Sequence, residues 1–130
     1  MNHTTLALLG CIGASMSGCI VDTVGPGVTV LRNAYEPCNA GDACSNGTTC
    51  TTAMYSLSGR PGNLCSAACT DASQCPPSAY FSSFPPTCVV SVSAGVGLCY
   101  DSCLTSGDCG GGTVCAQVPR TTARVCVPAT

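Results

Sequence analysis

The chain has no lysine, no tryptophan and a single histidine, His3. Catalytic arrangements such as Ser-His-Asp or Cys-His require an imidazole, and a Schiff-base enzyme requires a lysine amine. The four arginines and six acids give a formal net charge of −2 and form no basic patch. We therefore expect a protein that is not an enzyme and that has no nucleic-acid partner.

Large apolar side chains are scarce as well. Leu, Val and Phe occupy 13 of the 89 residues from Cys38 to Cys126, and Ile is missing from this stretch. So few large apolar groups rarely bury enough surface to offset the conformational entropy lost on folding. The same stretch contains 12 cysteines, a share typical of disulfide scaffolds. We expect disulfides worth about 2–4 kcal/mol each, and hence an oxidising location outside the cytoplasm.

Closely spaced cysteines are also missing. Zinc and iron–sulfur sites usually contain C-x2-C pairs, and the chain has no C-x2-C, C-x-C or C-C motif. We therefore expect no metal and no cofactor. Four acids remain for a paired-carboxylate hydrolase, but each lies near a cysteine in a turn-like context where Asp forms Asx turns and caps. These acids, expected to be structural, are Asp42, Asp71, Asp101 and Asp108.

The N-terminus has the features of an export signal. Leu6 to Met16 is an apolar run of 11 residues, which suits the hydrophobic region of a signal peptide and is too short to span a bilayer. The run ends in Met16-Ser17-Gly18-Cys19, and small residues directly before a cysteine resemble the lipobox of bacterial lipoproteins. The resemblance implies a signal peptide over 1–18, a diacylglyceryl group on Cys19 and palmitate-type chains in the membrane. Two or more such chains anchor a protein stably.

Leu8-Leu9-Gly10-Cys11 forms a competing lipobox. Cleavage there would leave a hydrophobic region of about six residues, which is shorter than usual. Lipidation of Cys19 also leaves an even set of 12 cysteines, whereas an anchor at Cys11 would leave an odd thiol. The alternative to the lipoprotein is an ordinary secretory signal and a freely secreted protein.

The cysteines from Cys38 onward form three tandem units of four: 38–65, 69–99 and 103–126. Five residues separate the first and second cysteine of every unit, and three residues separate consecutive units. Each unit is predicted to contain a short β-hairpin and a longer arm that returns to the fourth cysteine. Little helix is expected, beyond a turn near Ala67-Ala68. The predicted disulfide cysteines are Cys38, Cys44, Cys50, Cys65, Cys69, Cys75, Cys88, Cys99, Cys103, Cys109, Cys115 and Cys126.

Four cysteines allow three pairings within a unit. We favour the first with the third and the second with the fourth, and bridges between units remain open. Asn46-Gly47 in the first unit and Gly111-Gly112 in the third are the strongest short hairpin signals, so the hairpin is expected between the second and third cysteines, before the longer arm. Residues 19–37 are predicted to be a tether between anchor and scaffold, with a short strand over Val28 to Leu31, and 127–130 to be a tail.

The spacing C-x3-C-x5-C-x5-C, followed by a short arm to another cysteine, looks like the cysteine-rich repeats of predicted myxobacterial lipoproteins. It is also loosely similar to the N-terminal cysteine-rich repeat of Dickkopf-type secreted proteins. The resemblance covers residues 38–126. It implies a small disulfide-rich fold that the lipid holds on a bacterial membrane, at the outer membrane or cell surface.

Two segments break the repeat and are candidates for binding. The second-unit loop, 76–86, carries Tyr80, Phe81 and Phe84 among prolines, and the first-unit arm is 54–61. Aromatic side chains on stiff loops are good binding anchors, because little entropy is lost on docking. The alternative is that both loops supply core. We expect a binding module for a protein or surface ligand; the alternatives are a structural envelope component and a knotted protease inhibitor.

Overall fold

The computed structural model of the chain describes residues 29–55, 62–79 and 84–129. Over these ranges the chain forms short strands, two 3-10 turns and loops, and no α-helix. The strands are β1 (Leu31–Arg32), β2 (Ala43–Cys44), β3 (Thr49–Thr52), β4 (Asn63–Ser66), β5 (Ala68–Cys69), β6 (Thr87–Val90), β7 (Gly97–Tyr100), β8 (Thr113–Gln117) and β9 (Arg124–Pro128). The 3-10 turns are η1 (Ala72–Gln74) and η2 (Ser106–Asp108). The protein is a small disulfide-rich β fold, as predicted.

Each unit is built on one antiparallel hairpin: β3–β4, β6–β7 and β8–β9. In every hairpin the third cysteine of the unit lies directly opposite the fourth, as Cys50 lies opposite Cys65. The first and second cysteines lie in the segment that precedes the hairpin. The first is bonded to the third and the second to the fourth, so two disulfides hold this segment across the hairpin.

The twelve cysteines from Cys38 onward all lie in described parts of the chain, and all are in disulfides within their own unit. The predicted pairing of first with third and second with fourth is confirmed in every unit. The Cα–Cα distances of 5.5–6.0 Å are ordinary for disulfides. The bridges are Cys38–Cys50, Cys44–Cys65, Cys69–Cys88, Cys75–Cys99, Cys103–Cys115 and Cys109–Cys126.

The predicted turns are present in the first and third units, but they do not join the strands of the hairpins, which lie between the third and fourth cysteines. The prediction of a hairpin between the second and third cysteines is therefore wrong, because the arm to the fourth cysteine is itself a strand of the hairpin. Asn46 and Gly47 both have positive φ, 56° and 72°, which is the conformation of a type I′ turn. The Thr48 amide closes this turn on the Ser45 carbonyl at 3.1 Å. In the third unit the turn again closes at 3.1 Å, but only its second central residue, Gly112, has positive φ.

A backbone hydrogen bond recurs in all three units. The residue two positions before each first cysteine accepts a bond from the amide of the fourth cysteine of the same unit. The distances are 2.9 Å, 3.0 Å and 2.9 Å for the pairs Glu36–Cys65, Ala67–Cys99 and Asp101–Cys126. The segment that enters each unit is therefore an added strand beside the hairpin, and belongs to the scaffold.

This bond explains why the predicted tether, 19–37, is wrong over its last part. Ala34 and Tyr35 are fully buried, and the Tyr35 amide donates to the Cys65 carbonyl at 2.7 Å. The short strand lies at β1, later than expected, and pairs in parallel with β2. Residues 19–28 lie outside the described part of the chain.

Two smaller predictions also differ from the structure. The turn expected near Ala67-Ala68 is the beginning of β5, which pairs with β7. Of the expected tail, Val127 and Pro128 extend β9, and Val127 is fully buried. Both differences arise because residues next to the hairpins also form backbone hydrogen bonds with them. This pairing satisfies N–H and C=O groups that would otherwise be buried without partners.

The three units share one hydrophobic core. Its buried members come from each unit in turn: Ala53 and Leu64, then Val89 and Tyr100, then Val118, Val125 and Val127. Tyr100 is completely buried, and its hydroxyl accepts a hydrogen bond from the Met54 amide at 2.9 Å. The units are thus packed on one another. Over the described ranges, no helix has the length and apolar composition needed to cross a membrane.

Candidate functional site

A cleft of about 480 Å³ lies between the second-unit hairpin and the third unit. Its volume falls within the range of ordinary ligand pockets. Most of its described lining is apolar or hydroxyl-bearing. The lining residues are Tyr55, Thr87, Cys88, Val89, Val90, Val92, Val118, Pro119, Arg120, Thr121 and Ala123.

One wall of the cleft is β6, the edge strand of a three-stranded sheet with the order β5-β7-β6. The Ser91 amide donates to the Val96 carbonyl, and this bond sets the alternation along the β6–β7 ladder. Hydrogen-bonded and non-hydrogen-bonded pairs alternate in antiparallel strands, so Thr87 and Val89 bond to β7. The backbone groups of Cys88 and Val90 consequently face away from β7, toward the open edge.

The hydrogen bonds on the other side of β7, toward β5, agree with this alternation. The Cys99 amide donates to the Ala67 carbonyl at 3.0 Å, so the backbone groups of Cys99 point to β5 and away from β6. Cys99 is the residue opposite Cys88. Across the described part of the chain, no backbone hydrogen bond caps the outer edge at Cys88 or Val90.

The opposite wall is the β8–β9 loop, 118–123, which is held by its own hydrogen bonds. The Val118 amide donates to the Ala123 carbonyl at 2.9 Å, and the Thr121 amide donates to the Val118 carbonyl at 3.2 Å. The side-chain amide of Gln117 donates to the Thr121 carbonyl at 2.8 Å. Val118 is anchored in the core. The wall is therefore a fixed feature of the third unit.

Charge in the cleft is one-sided. Among the described lining residues, Arg120 alone carries a charge, and its backbone has a φ of 63°. Among the described residues, 29–55, 62–79 and 84–129, one ion pair is found, between Arg32 and Asp42 at 3.1 Å. Arg120 is therefore in no ion pair within these ranges. An exposed apolar side chain, Val92, stands at the rim with its full surface in solvent.

The aromatic loop predicted to bind is only partly described. Tyr80 and Phe81 lie outside the described residues, as does the lipidation candidate Cys19. Phe84 is half-buried and is not among the cleft-lining residues. The other repeat-breaking segment, 54–61, contributes Tyr55 to the lining, and its residues 56–61 are not described.

Sequence reasoning missed the 118–123 wall and the open edge of β6. A signal for the first was present, because Pro119-Arg120 lies in the longest cysteine-free gap of the third unit. The second has no signal of its own, since strand order within a sheet is a property of the tertiary fold. The cleft therefore adds residues to the candidate site rather than confirming Tyr80, Phe81 and Phe84.

Three of the four acids are turn residues, as predicted. Oδ2 of Asp42 accepts from the Asn39 amide and from Arg32 Nε, and these bonds lower the pKa of Asp42. Hydrogen bonds from Ser73 lower the pKa of Asp71. The Thr105 and Leu104 amides lower the pKa of the Asp108 carboxyl.

Asp101 differs from the other acids, because its side chain is buried. Oδ2 accepts a hydrogen bond from the Ser78 hydroxyl at 2.7 Å, and Oδ1 has no partner. Burial raises the pKa of Asp101, against the opposing effect of the Ser78 bond. Burial, and secondly the nearby Asp101 charge, raises the pKa of Tyr35. The turn-like context expected for Asp101 is thus wrong; it is a buried carboxyl between two units.

Three groups of cysteine sulfurs come close enough together to suggest a metal site. In each, the first, second and fourth cysteines of a unit have sulfurs within 4.8 Å of one another. Every one of these sulfurs is bonded to another sulfur. In the oxidised protein the groups are therefore disulfide clusters, since a metal requires free thiolates.

No protein-family model, curated protein or solved structure matches this chain. The geometry of the scaffold and of the cleft is accordingly the basis for any functional argument.

Proposed function

We propose that this chain is a non-enzymatic, membrane-anchored lipoprotein that displays a rigid cysteine-rich binding module outside the cell membrane. The observation that carries the proposal is the cleft between β6 and the 118–123 loop, which combines apolar walls with one cationic side chain. A pocket with a few placed polar groups is the usual form of a binding site.

The scaffold supports binding because its walls are held in place before any ligand arrives. Cys88, in β6, is bridged to Cys69, and the 118–123 loop is closed by hydrogen bonds and anchored by Val118. A preorganised surface loses little conformational entropy on association. Disulfides also keep the module folded in an oxidising compartment, which agrees with the export signal expected at the N-terminus.

The position of the cleft within the chain agrees with display on a tether. The lipidation candidate, Cys19, precedes the first unit, and the described chain enters that unit through β1. All lining residues except Tyr55 belong to the second and third units. An anchor at Cys19 therefore precedes the unit that contributes only Tyr55 to the described lining of the cleft.

Photo-crosslinking tests the binding role directly. A photoreactive phenylalanine placed at Val92, at the rim of the cleft, is expected to trap a specific partner on the producing cells. The matched control is the same group at Leu104, which is exposed on the third unit and does not line the cleft. Bands of equal intensity from both positions, or none from Val92, contradict the proposal.

The same experiment separates the alternatives. A structural envelope component is expected to crosslink mainly to copies of itself, and a knotted inhibitor to a protease. Mass spectrometry of the trapped species identifies which of these has formed. A heterologous partner seen at Val92 and missing at Leu104 supports the binding module.

A further inference from the structure

We propose that the open edge of β6 binds an extended peptide segment of another protein, which adds as a further strand and presents a carboxylate to Arg120. This inference rests on the proposed binding role of the cleft and names the class of partner. Recognition by strand addition derives its affinity from backbone hydrogen bonds and its selectivity from alternate side chains.

The first argument is the unpaired backbone of β6. The N–H and C=O groups of Cys88 and Val90 face away from β7, as the alternation of the β6–β7 ladder requires, and both residues line the cleft. A row of unpaired groups on an edge strand is a template for another strand. Edges that are not used for pairing are commonly blocked by a charged side chain or by proline, and Thr87–Val90 contains neither.

The space beside that edge has room for a short extended segment. The four residues of β6 span about 13 Å at the rise of an extended strand, enough to pair with a short peptide segment. The cleft of about 480 Å³ continues from the edge to the 118–123 loop. Alternate side chains of an added strand would point into this apolar space, which favours Val, Ile or Thr.

The cleft offers a positive charge to a ligand. Arg120 is the one charged residue in the described lining, and a guanidinium pairs well with a carboxylate. The 118–123 loop and the β6–β7 hairpin, 87–100, contain no acid. Neither wall of the cleft supplies a carboxylate, so we assign it to the partner, as an acidic side chain or a C-terminus beside the apolar segment.

A second copy of this chain is a poorer occupant. Pairing of β6 with β6 of another molecule would bring a second Arg120 and no carboxylate to the cleft. Like charges in a shared cleft oppose association. The proposal thus commits to a heterologous peptide, and self-association through β6 would count against it.

Peptide selection provides the probe. A phage library of random dodecapeptides is panned against the immobilised, disulfide-intact mature protein. We expect enrichment of peptides that alternate β-branched residues and carry an acid. Enrichment of proline-rich or helix-forming peptides at this site, or of none, overturns the proposal.

Selected peptides are then synthesised with and without N-methyl groups on alternate amides. Methylation removes a donor and keeps the side chains, so in the register that faces β6 we expect Kd to rise by about three- to tenfold for each hydrogen bond lost. Methylation in the other register, facing solvent, serves as the control. Equal affinities in both registers contradict strand addition.

Two pairs of protein variants locate the contact. Val90→Pro removes the outward N–H, at an edge position that tolerates proline, while Val90→Thr keeps it. Arg120→Asn suits the positive φ at that site and removes the charge, while Arg124→Gln removes a charge outside the cleft. We expect only V90P and R120N to weaken binding, V90P by about three- to tenfold for a lost neutral hydrogen bond and R120N by about tenfold or more for a lost charge-assisted one.

The folded state of each variant is checked by its melting temperature and by thiol alkylation. If V90P does not fold, the N-methyl series alone decides. If a partner is crosslinked at Val92 but the selected peptides do not pair with β6, the binding role stands and strand addition is wrong. If no partner is crosslinked at Val92, both the binding role and strand addition are wrong.

Discussion

The Ser78 hydroxyl donates a hydrogen bond of 2.7 Å to Oδ2 of Asp101, whereas Oδ1 of the same carboxylate is buried without a partner. The Asp101 carbonyl also holds the Cys126 amide, in the bond that recurs at Glu36 and Ala67. The backbone role is therefore common to the three units, and the buried carboxyl is peculiar to the third. A charge placed there costs free energy, because one of its oxygens is desolvated and unpaired.

The pH dependence of stability follows from this carboxyl. The pKa of Asp101 is raised in the folded state above the ordinary value of 3.8, so the folded protein binds the proton more tightly than the unfolded chain. Stability from this group is complete below the ordinary pKa and falls as pH rises through the folded-state value. We expect Asp101→Asn to raise the free energy of unfolding at pH 7, and by more at pH 7 than at pH 3, measured by urea denaturation.

Asp108→Asn is the control, because its effect on the free energy of unfolding at pH 7 is expected to have the opposite sign. Backbone bonds lower the pKa of Asp108, so its contribution is present above the ordinary pKa and is lost as pH falls. D108N should therefore destabilise at pH 7 and have little effect at pH 3. If both variants shifted stability in the same direction at pH 7, the assignment of Asp101 as a buried, destabilising charge would be wrong.

Tyr100→Phe tests the shared core. The substitution keeps the ring in place and removes the hydroxyl that accepts the Met54 amide at 2.9 Å. The Met54 amide then loses this partner in a part-buried setting, and we expect the free energy of unfolding to fall by about 1 kcal/mol. A single calorimetric transition at a lower temperature is expected, because the units share one core.

Tyr55→Phe is the matched control for Y100F, since Tyr55 is only partly buried at the edge of the core. Its effect on the melting temperature should be small. Two separate transitions in the wild type or in Y100F would show instead that the units unfold independently.

Gly47→Ala tests the type I′ turn of the first unit. Gly47 has a φ of 72°, and a Cβ in this conformation costs about 1–2 kcal/mol. Gly107→Ala is the comparison, because no positive φ applies there and its Cβ would make an ordinary contact with Thr105 at 3.5 Å. Urea denaturation should show a clear loss for G47A and little change for G107A. Comparable losses would contradict the turn assignment.

Cys19→Ala tests the predicted anchor. The variant lacks the thiol that accepts the lipid, so the protein is expected to leave the membrane fraction or to accumulate uncleaved. Cys11→Ala, which removes the competing lipobox cysteine, should behave as wild type. Intact mass of the membrane-extracted protein is the measurement, and it should begin at Cys19 with a diacylglyceryl addition. If C11A released the protein from the membrane fraction and C19A did not, the lipidated cysteine would be Cys11.

The set of disulfide cysteines and its division into three units could be predicted because spacing carries both, whereas the favoured pairing was one of three that spacing leaves open. Equal gaps between the first two cysteines of each unit impose the same local path, and the pairing of Cys38 with Cys50 is repeated in the other units. Asn46-Gly47 predicted its turn since both positions need positive φ. Boundaries were less predictable, as Tyr35 shows, because its surroundings include the second unit, where its hydroxyl donates a hydrogen bond to the Pro76 carbonyl at 2.6 Å.

By itself, the sequence determined the division into three four-cysteine disulfide units and the tight turns at Asn46-Gly47 and Gly111-Gly112, because local spacing and turn chemistry dictate these. Only the tertiary structure decided which cysteines pair, where the hairpins lie, how the units pack, which edge of the second hairpin stays open, and where Arg120 and Asp101 lie. The physical reason is that burial and edge exposure depend on contacts between residues far apart in the chain, such as Leu64, Tyr100 and Val127. No local pattern encodes those contacts.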